Sequence, residues 1–115
     1  MEKDNRPYVA WQLDFARVFR DNAGFDIVIG NPPYGAKFSA IEKRILNCIY
    51  ADCNVPDYES ADFFIELGFN ILKPKGSLAF IIPNMFMANV LAEKYHLRPI
   101  STPEKDLAWA LSGKL

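Results

Sequence analysis

The chain has 115 residues, half of them hydrophobic and 23% charged, with a net charge of −1. That length allows at most one modest domain, and that balance marks a globular rather than a disordered sequence. A near-neutral chain gives no electrostatic case for nucleic-acid binding by the molecule as a whole.

Cys48 and Cys53 lack zinc-ligand spacing and have no histidine nearby. They read as reduced thiols of a cytoplasmic protein, and no metal site is expected. The charged start Met1-Glu2-Lys3-Asp4-Asn5-Arg6 does not read as a signal peptide. No apolar run approaches the ~20 residues of a membrane span, so no membrane partner is expected.

In chain order, residues 9–19 mix apolar and polar positions without a clean period, as in a helix or an irregular lead-in. Asp21-Asn22-Ala23-Gly24 reads as a turn. Phe25 to Gly30 then carries the β-branched run Ile27-Val28-Ile29, the pattern of a buried parallel strand. Asn31-Pro32-Pro33-Tyr34 follows at once. Two prolines cannot donate to a ladder, so the strand ends there; they also fix φ, so the loop is stiff. A rigid loop at the carboxyl end of a buried strand is where ligands bind in open α/β sheets.

Ser39 and Glu42 form a capping box before Ile41, Ile45, Leu46 and Ile49, which recur at helical spacing. Residues 51–56 read as a loop. A second helix is expected from about Ser60 to Leu72, with Phe63, Phe64, Leu67, Ile71 and Leu72 on its inner face. Lys73-Pro74-Lys75-Gly76 terminates it. Ser77 to Ile82 reads as a second buried strand, ended by Pro83-Asn84. A third helix is expected over residues 85–95, and a short helix around 103–111. Tyr58 and His96 read as structural, and Lys73, Lys75 and Arg98 are too scattered for a DNA-binding patch. Strand, helices, strand, helix implies an α/β fold with a parallel, doubly wound sheet. Two strands cannot cover their own edges and faces, so the pattern is that of a piece of a larger domain.

Asn31-Pro32-Pro33-Tyr34 after Phe25-Asp26-Ile27-Val28-Ile29-Gly30 resembles the catalytic loop of the adenine-N6 DNA methyltransferases of restriction-modification systems, the Eco57I-like and TaqI-like group. Asp62-Phe63-Phe64-Ile65-Glu66, followed by Ile71 through Asn84, is similar to the helix, turn and strand that come next in that group. Leu13-Asp14-Phe15 lies upstream, about where the group has an acidic-aromatic cofactor contact. The resemblance covers roughly residues 11 to 95 and implies a fragment of a Rossmann-like methyltransferase domain that uses S-adenosylmethionine.

The chemistry so implied explains the residue types. The adenine amine is a poor nucleophile because its lone pair is delocalised into the ring. Acceptors on its two N–H bonds localise that pair; the resemblance assigns them to the Asn31 side-chain oxygen and the Pro32 carbonyl, with Pro33 stiffening the loop. Tyr34 offers a face for the base, which in duplex DNA must first be flipped out. Asp14, Phe15 and Phe64 are the implied cofactor contacts. From the residues themselves, Asp14 reads equally as a solvated acid and Phe64 as core; Asp62 suits the first turn of a helix.

The group binds its cofactor mainly through a glycine loop after an earlier strand, and no such loop precedes Asn31 here. Residues 96–115 diverge from the group's pattern. The whole chain, 1–115, is therefore expected to be a partial catalytic domain with a divergent tail, inactive alone and prone to self-association or to need a complementing chain through its sheet edges. The alternatives are a glutamine or RNA amino-methyltransferase with the same loop, and a non-catalytic remnant or complementing subunit.

Overall fold

The computed structural model describes residues 7–50, 60–83, 93–99 and 107–114. Two short helices, α1 (Trp11–Asp14) and α2 (Ala16–Asn22), lead into strand β1 (Phe25–Gly30). Helix α3 (Ala40–Ile49) and helix α4 (Ser60–Ile71) follow, then strands β2 (Leu72–Pro83), β3 (Arg98–Pro99) and β4 (Leu107–Gly113). The four strands form one sheet in the order β1-β2-β4-β3. β1 pairs with β2 in parallel, as expected, whereas β4 runs antiparallel to both its neighbours.

α4 and β2 build the core. Ala61, Ile65 and Phe69 recur every fourth residue along α4 and pack on Leu78, Phe80 and Ile82, which alternate along β2. Leu72 and Leu97 complete the cluster. Ile65 and Phe69 were absent from the inner face expected for this helix; Phe63 and Ile71 are buried as expected, while Phe64 is 39% exposed. Gly68 lets helix and strand approach: a Cβ there would stand 2.5 Å from Leu78 Cδ1.

Hydrogen bonds tie the start of α3 and the end of α4. The capping box forms as read, with the Ser39 N–H donating to Glu42 Oε2 at 2.7 Å and the Glu42 N–H donating to Ser39 Oγ at 3.2 Å. Lys114 Nζ donates to the carbonyls of Phe69 and Leu72 at 2.8 and 2.7 Å, satisfying groups that the end of α4 would leave orphaned. α4 stops at Ile71, and Lys75 takes φ +63° within the register shift between Phe25 and Ile27. Residues 85–92 of the third expected helix, the loop at 51–56, Tyr58 and Cys53 lie outside the described residues. Glu93 and Lys94 are helical and a turn follows at Tyr95-His96.

Two expectations are corrected. β1 is not buried on both faces: Ile27 and Ile29 are 67% and 69% exposed. β1 stands at the end of the sheet, and only Val28 turns toward the α4–β2 core. Residues 107–111 are strand, not helix. Leu107-Ala108-Trp109-Ala110-Leu111 has good local helix propensity, but seven residues of antiparallel pairing against β2, from Ser77↔Gly113 to Pro83↔Leu107, decide the outcome.

Candidate active site

The stiff loop after β1 emerges at that strand's carboxyl end. Pro32 is buried, while Asn31, Pro33 and Tyr34 are exposed. Asn31, Pro32 and Pro33 form one wall of a cleft of about 260 Å³. Its floor is Val28, Ile29 and Gly30 of β1 with Phe80 of β2; Phe64, Leu67, Gly68 and Ile71 of α4 face it, and Trp11 closes one side. Gly30 keeps the floor flat, since a Cβ there would come within 3.3 Å of the Phe80 ring.

Of the successive α4 residues Phe63 and Phe64, the second lines the cleft and the first does not. Phe63 packs against Phe38 and Tyr50, each with ring centroids 5.8 Å away. The loop is also held from α4. Ser60, the first residue of that helix and 2% exposed, donates its hydroxyl proton to the Pro33 carbonyl at 2.8 Å. The Ala36 N–H donates back to Ser60 Oγ at 3.2 Å. Asp62 sits in the first turn of α4, as expected of a dipole-stabilised acid, and is buried there.

Asn31, Pro32, Pro33 and Phe64 therefore come together at one cleft, with Tyr34 next along the loop and 54% exposed. Asp14 and Phe15 are not among the residues that line it. Asp14 Oδ2 accepts the Ala10 N–H at 2.8 Å, capping its own short helix. Phe15 stacks on Trp11 at 5.7 Å and meets Phe25 edge-on at 5.4 Å. Trp11 is the lining residue that the sequence reading missed. Its signal was present, a tryptophan one helical turn before Asp14, but the irregular period around it hid which side it faced.

Among the described residues no charged side chain lines the cleft. Asp26, at the far end of β1, is held below the usual carboxylate range by its contact with Lys73 and by a hydrogen bond from Asn22. Among the described residues, no group of three or more His, Cys, Asp or Glu side chains could hold a metal. Beside the flat apolar walls the loop carries the Asn31 amide and the Pro32 carbonyl, whose oxygens can accept hydrogen bonds from an amine. A cleft of about 260 Å³ is smaller than the roughly 300–1,000 Å³ of a complete small-molecule site. Its flat apolar walls are of a size to take a planar ring.

Residues 2–101 match the family model of the Eco57I restriction-modification methylases. The chain belongs to that family. It is 36% identical over 97 residues to a protein of Methanocaldococcus jannaschii provisionally assigned as a type II restriction enzyme and methyltransferase. That match takes in 76% of this chain and 8% of the relative, so the chain spans a small part of the curated relative's length. Among solved structures it resembles a protein of Listeria monocytogenes provisionally assigned as a class I S-adenosylmethionine-dependent methyltransferase, with a TM-score of 0.56 at 17% identity. The match covers 79% of this chain and 32% of that one. The family's fold is thus an α/β methyltransferase fold, of which this chain forms a fragment with parallel strands β1 and β2. Among the described residues no helix is long and apolar enough to cross a membrane.

Proposed function

We propose that this chain carries the catalytic loop of a DNA methyltransferase acting on the N6 amine of adenine. The observation that supports this most is the convergence of Asn31, Pro32 and Pro33 on an apolar cleft at the carboxyl end of β1. S-adenosylmethionine, the cofactor implied by the family, supplies an electrophilic methyl group when bound. The Asn31 side-chain oxygen and the Pro32 carbonyl accept the two amine N–H bonds and draw the nitrogen toward tetrahedral geometry. Held rigidly, these acceptors need no reorganisation as charge develops on the amine. Tyr34, exposed beside them, stacks on the base once it leaves the duplex. Phe64 and Trp11 give the cleft its flat aromatic sides.

With no glycine loop ahead of Asn31 in these 115 residues, the isolated chain is expected neither to bind the cofactor tightly nor to turn over. A test uses the Methanocaldococcus relative with the aligned 76% of this chain in place of its matching segment, supplied with radiolabelled S-adenosylmethionine and DNA. N6-methyladenine is expected among the digested nucleosides, and Asn31→Ala should lower the rate by about 10²-fold or more. Label on cytosine, on RNA alone or on a glutamine peptide would replace the adenine reading. Turnover by the isolated chain would overturn the inactivity.

A second reading, that of a subunit completed by another chain, is favoured by one observation. Among the described residues β1 pairs on one side only, with β2, and its side chains Ile27 and Ile29 are exposed. A strand added alongside β1 would satisfy that edge.

A further inference from the structure

We propose that Ser60 is a positioning residue of the catalytic loop: its hydroxyl closes the turn Pro33-Tyr34-Gly35-Ala36 and so sets the direction of the Tyr34 ring. The inference rests on the reading of Tyr34 as the stacking face for the target base.

The backbone of the loop has few free torsions. The rings of Pro32 and Pro33 fix both φ angles, and a residue followed by proline is restricted in ψ as well. That restriction falls on Asn31 and Pro32. The first torsion left free is ψ of Pro33, which decides where the following peptide plane, and therefore Tyr34, points. Ser60 acts at that bond, because its hydroxyl proton goes to the Pro33 carbonyl at 2.8 Å.

The other half of the clamp lies three residues on. A β-turn is usually closed by a hydrogen bond from the fourth N–H to the first carbonyl. Here the first carbonyl is that of Pro33 and the fourth N–H is that of Ala36, which instead donates to Ser60 Oγ at 3.2 Å. One hydroxyl thus bridges the two groups, donating to one and accepting from the other. Gly35, the third residue, has φ +71°, the left-handed conformation that a type II turn requires there. Tyr34 occupies the corner, with its ring 54% exposed.

Burial makes the clamp stiff. Ser60 is 2% exposed, so water does not compete well for its hydroxyl, and the loop groups it bridges are 27 and 24 residues away in sequence. Ser60 also opens α4, the helix that carries Phe64 into the same cleft. The loop and the aromatic wall opposite it are therefore referenced to one helix end.

The test uses the 115-residue chain labelled with 3-fluorotyrosine, the Tyr34 resonance being assigned by its loss in Tyr34→Phe. In Ser60→Ala, the Ala36 amide is expected to exchange roughly fivefold to tenfold faster. The Tyr34 fluorine signal should broaden or split, while the amides of Leu78 and Ile82 keep their protection. Ser60→Thr, which keeps the hydroxyl, restores both readouts. Ser60→Cys preserves volume with a weak donor and carries the test if the alanine variant does not fold. Unchanged Ala36 exchange and an unchanged Tyr34 signal in the hydroxyl-less variant that folds would overturn the proposal, as would failure of threonine to rescue. Titration with the nucleoside of 2-aminopurine, which needs no duplex recognition, separates the two readings. If the wild-type chain leaves its fluorescence unchanged while Ser60→Ala still loosens the turn, base stacking on Tyr34 falls and the clamp stands.

Discussion

Single residues in this chain act through the groups they tie down. Glu42 illustrates it for charge. The Ser39 N–H donates to its carboxylate and holds its pKa below the ordinary 4.5. A carboxylate whose pKa is depressed on folding contributes stability above its ordinary value, and that contribution disappears as pH falls through the lowered one. Asp26, lowered by Lys73 and Asn22 from the ordinary 3.8, acts in the same direction. Unfolding followed by circular dichroism should therefore show a loss of stability on acidification below about pH 4.5, flattened in Glu42→Gln, which keeps an acceptor but does not titrate. An equally steep acid limb in the variant would remove Glu42 from that account. Gly24 illustrates the same point for backbone. It has φ +136°, and a Cβ there would stand 2.7 Å from the Ile71 carbonyl and the Lys73 amide. Gly24→Ala should cost about 3 kcal/mol in urea unfolding, from a conformation that L-residues avoid combined with a backbone clash.

At the scale of elements, the cleft depends on how closely α4 lies over β2. Gly68 sets that distance, since a Cβ would overlap Leu78 Cδ1 at 2.5 Å and crowd the Phe80 ring at 3.1 Å. Gly68→Ala is expected to destabilise by about 1–3 kcal/mol and to disturb the cleft, because Gly68 and Phe80 both line it. A melting temperature equal to wild type would mean that the helix can lift without cost. Elements also differed in how openly the sequence announced them. The capping box at Ser39 and Glu42 is local chemistry, so α3 was readable from two residues. The strand–loop boundary at Asn31 was readable for the same reason, because proline stops a ladder wherever it falls. β4 was not readable. Its residues favour a helix when alone, and only the side of β2 not taken by β1 makes them a strand.

Across the described residues, the sheet is open at both ends, with β1 and β3 as its edge strands. The radius of gyration is 15.0 Å, against about 13 Å for a compact chain of this length. β1, which leads into the Asn31–Tyr34 loop, is also an edge strand with two isoleucines in solvent. Long apolar edges invite pairing. Sedimentation velocity should therefore find concentration-dependent association of the wild-type chain, shifted toward monomer by Ile27→Lys with Ile29→Lys. A wild-type chain that stays monomeric at high concentration would count against both self-association and the complementing-chain reading.

From the sequence alone came the family, the loop and its proposed chemistry, because those reside in contiguous residues whose covalent character acts locally: the prolines at 32 and 33, the amide at 31, the ring at 34. Tertiary structure decided what surrounds them. It turned Phe64 rather than Phe63 into the cleft, brought Trp11 there while Asp14 capped its own helix, and placed the Ser60 hydroxyl under the loop. It also left β1 at an edge where the sequence pattern implied burial. A β-branched run states that a strand prefers apolar surroundings; which neighbours supply them is a matter of chain topology, which no single segment encodes.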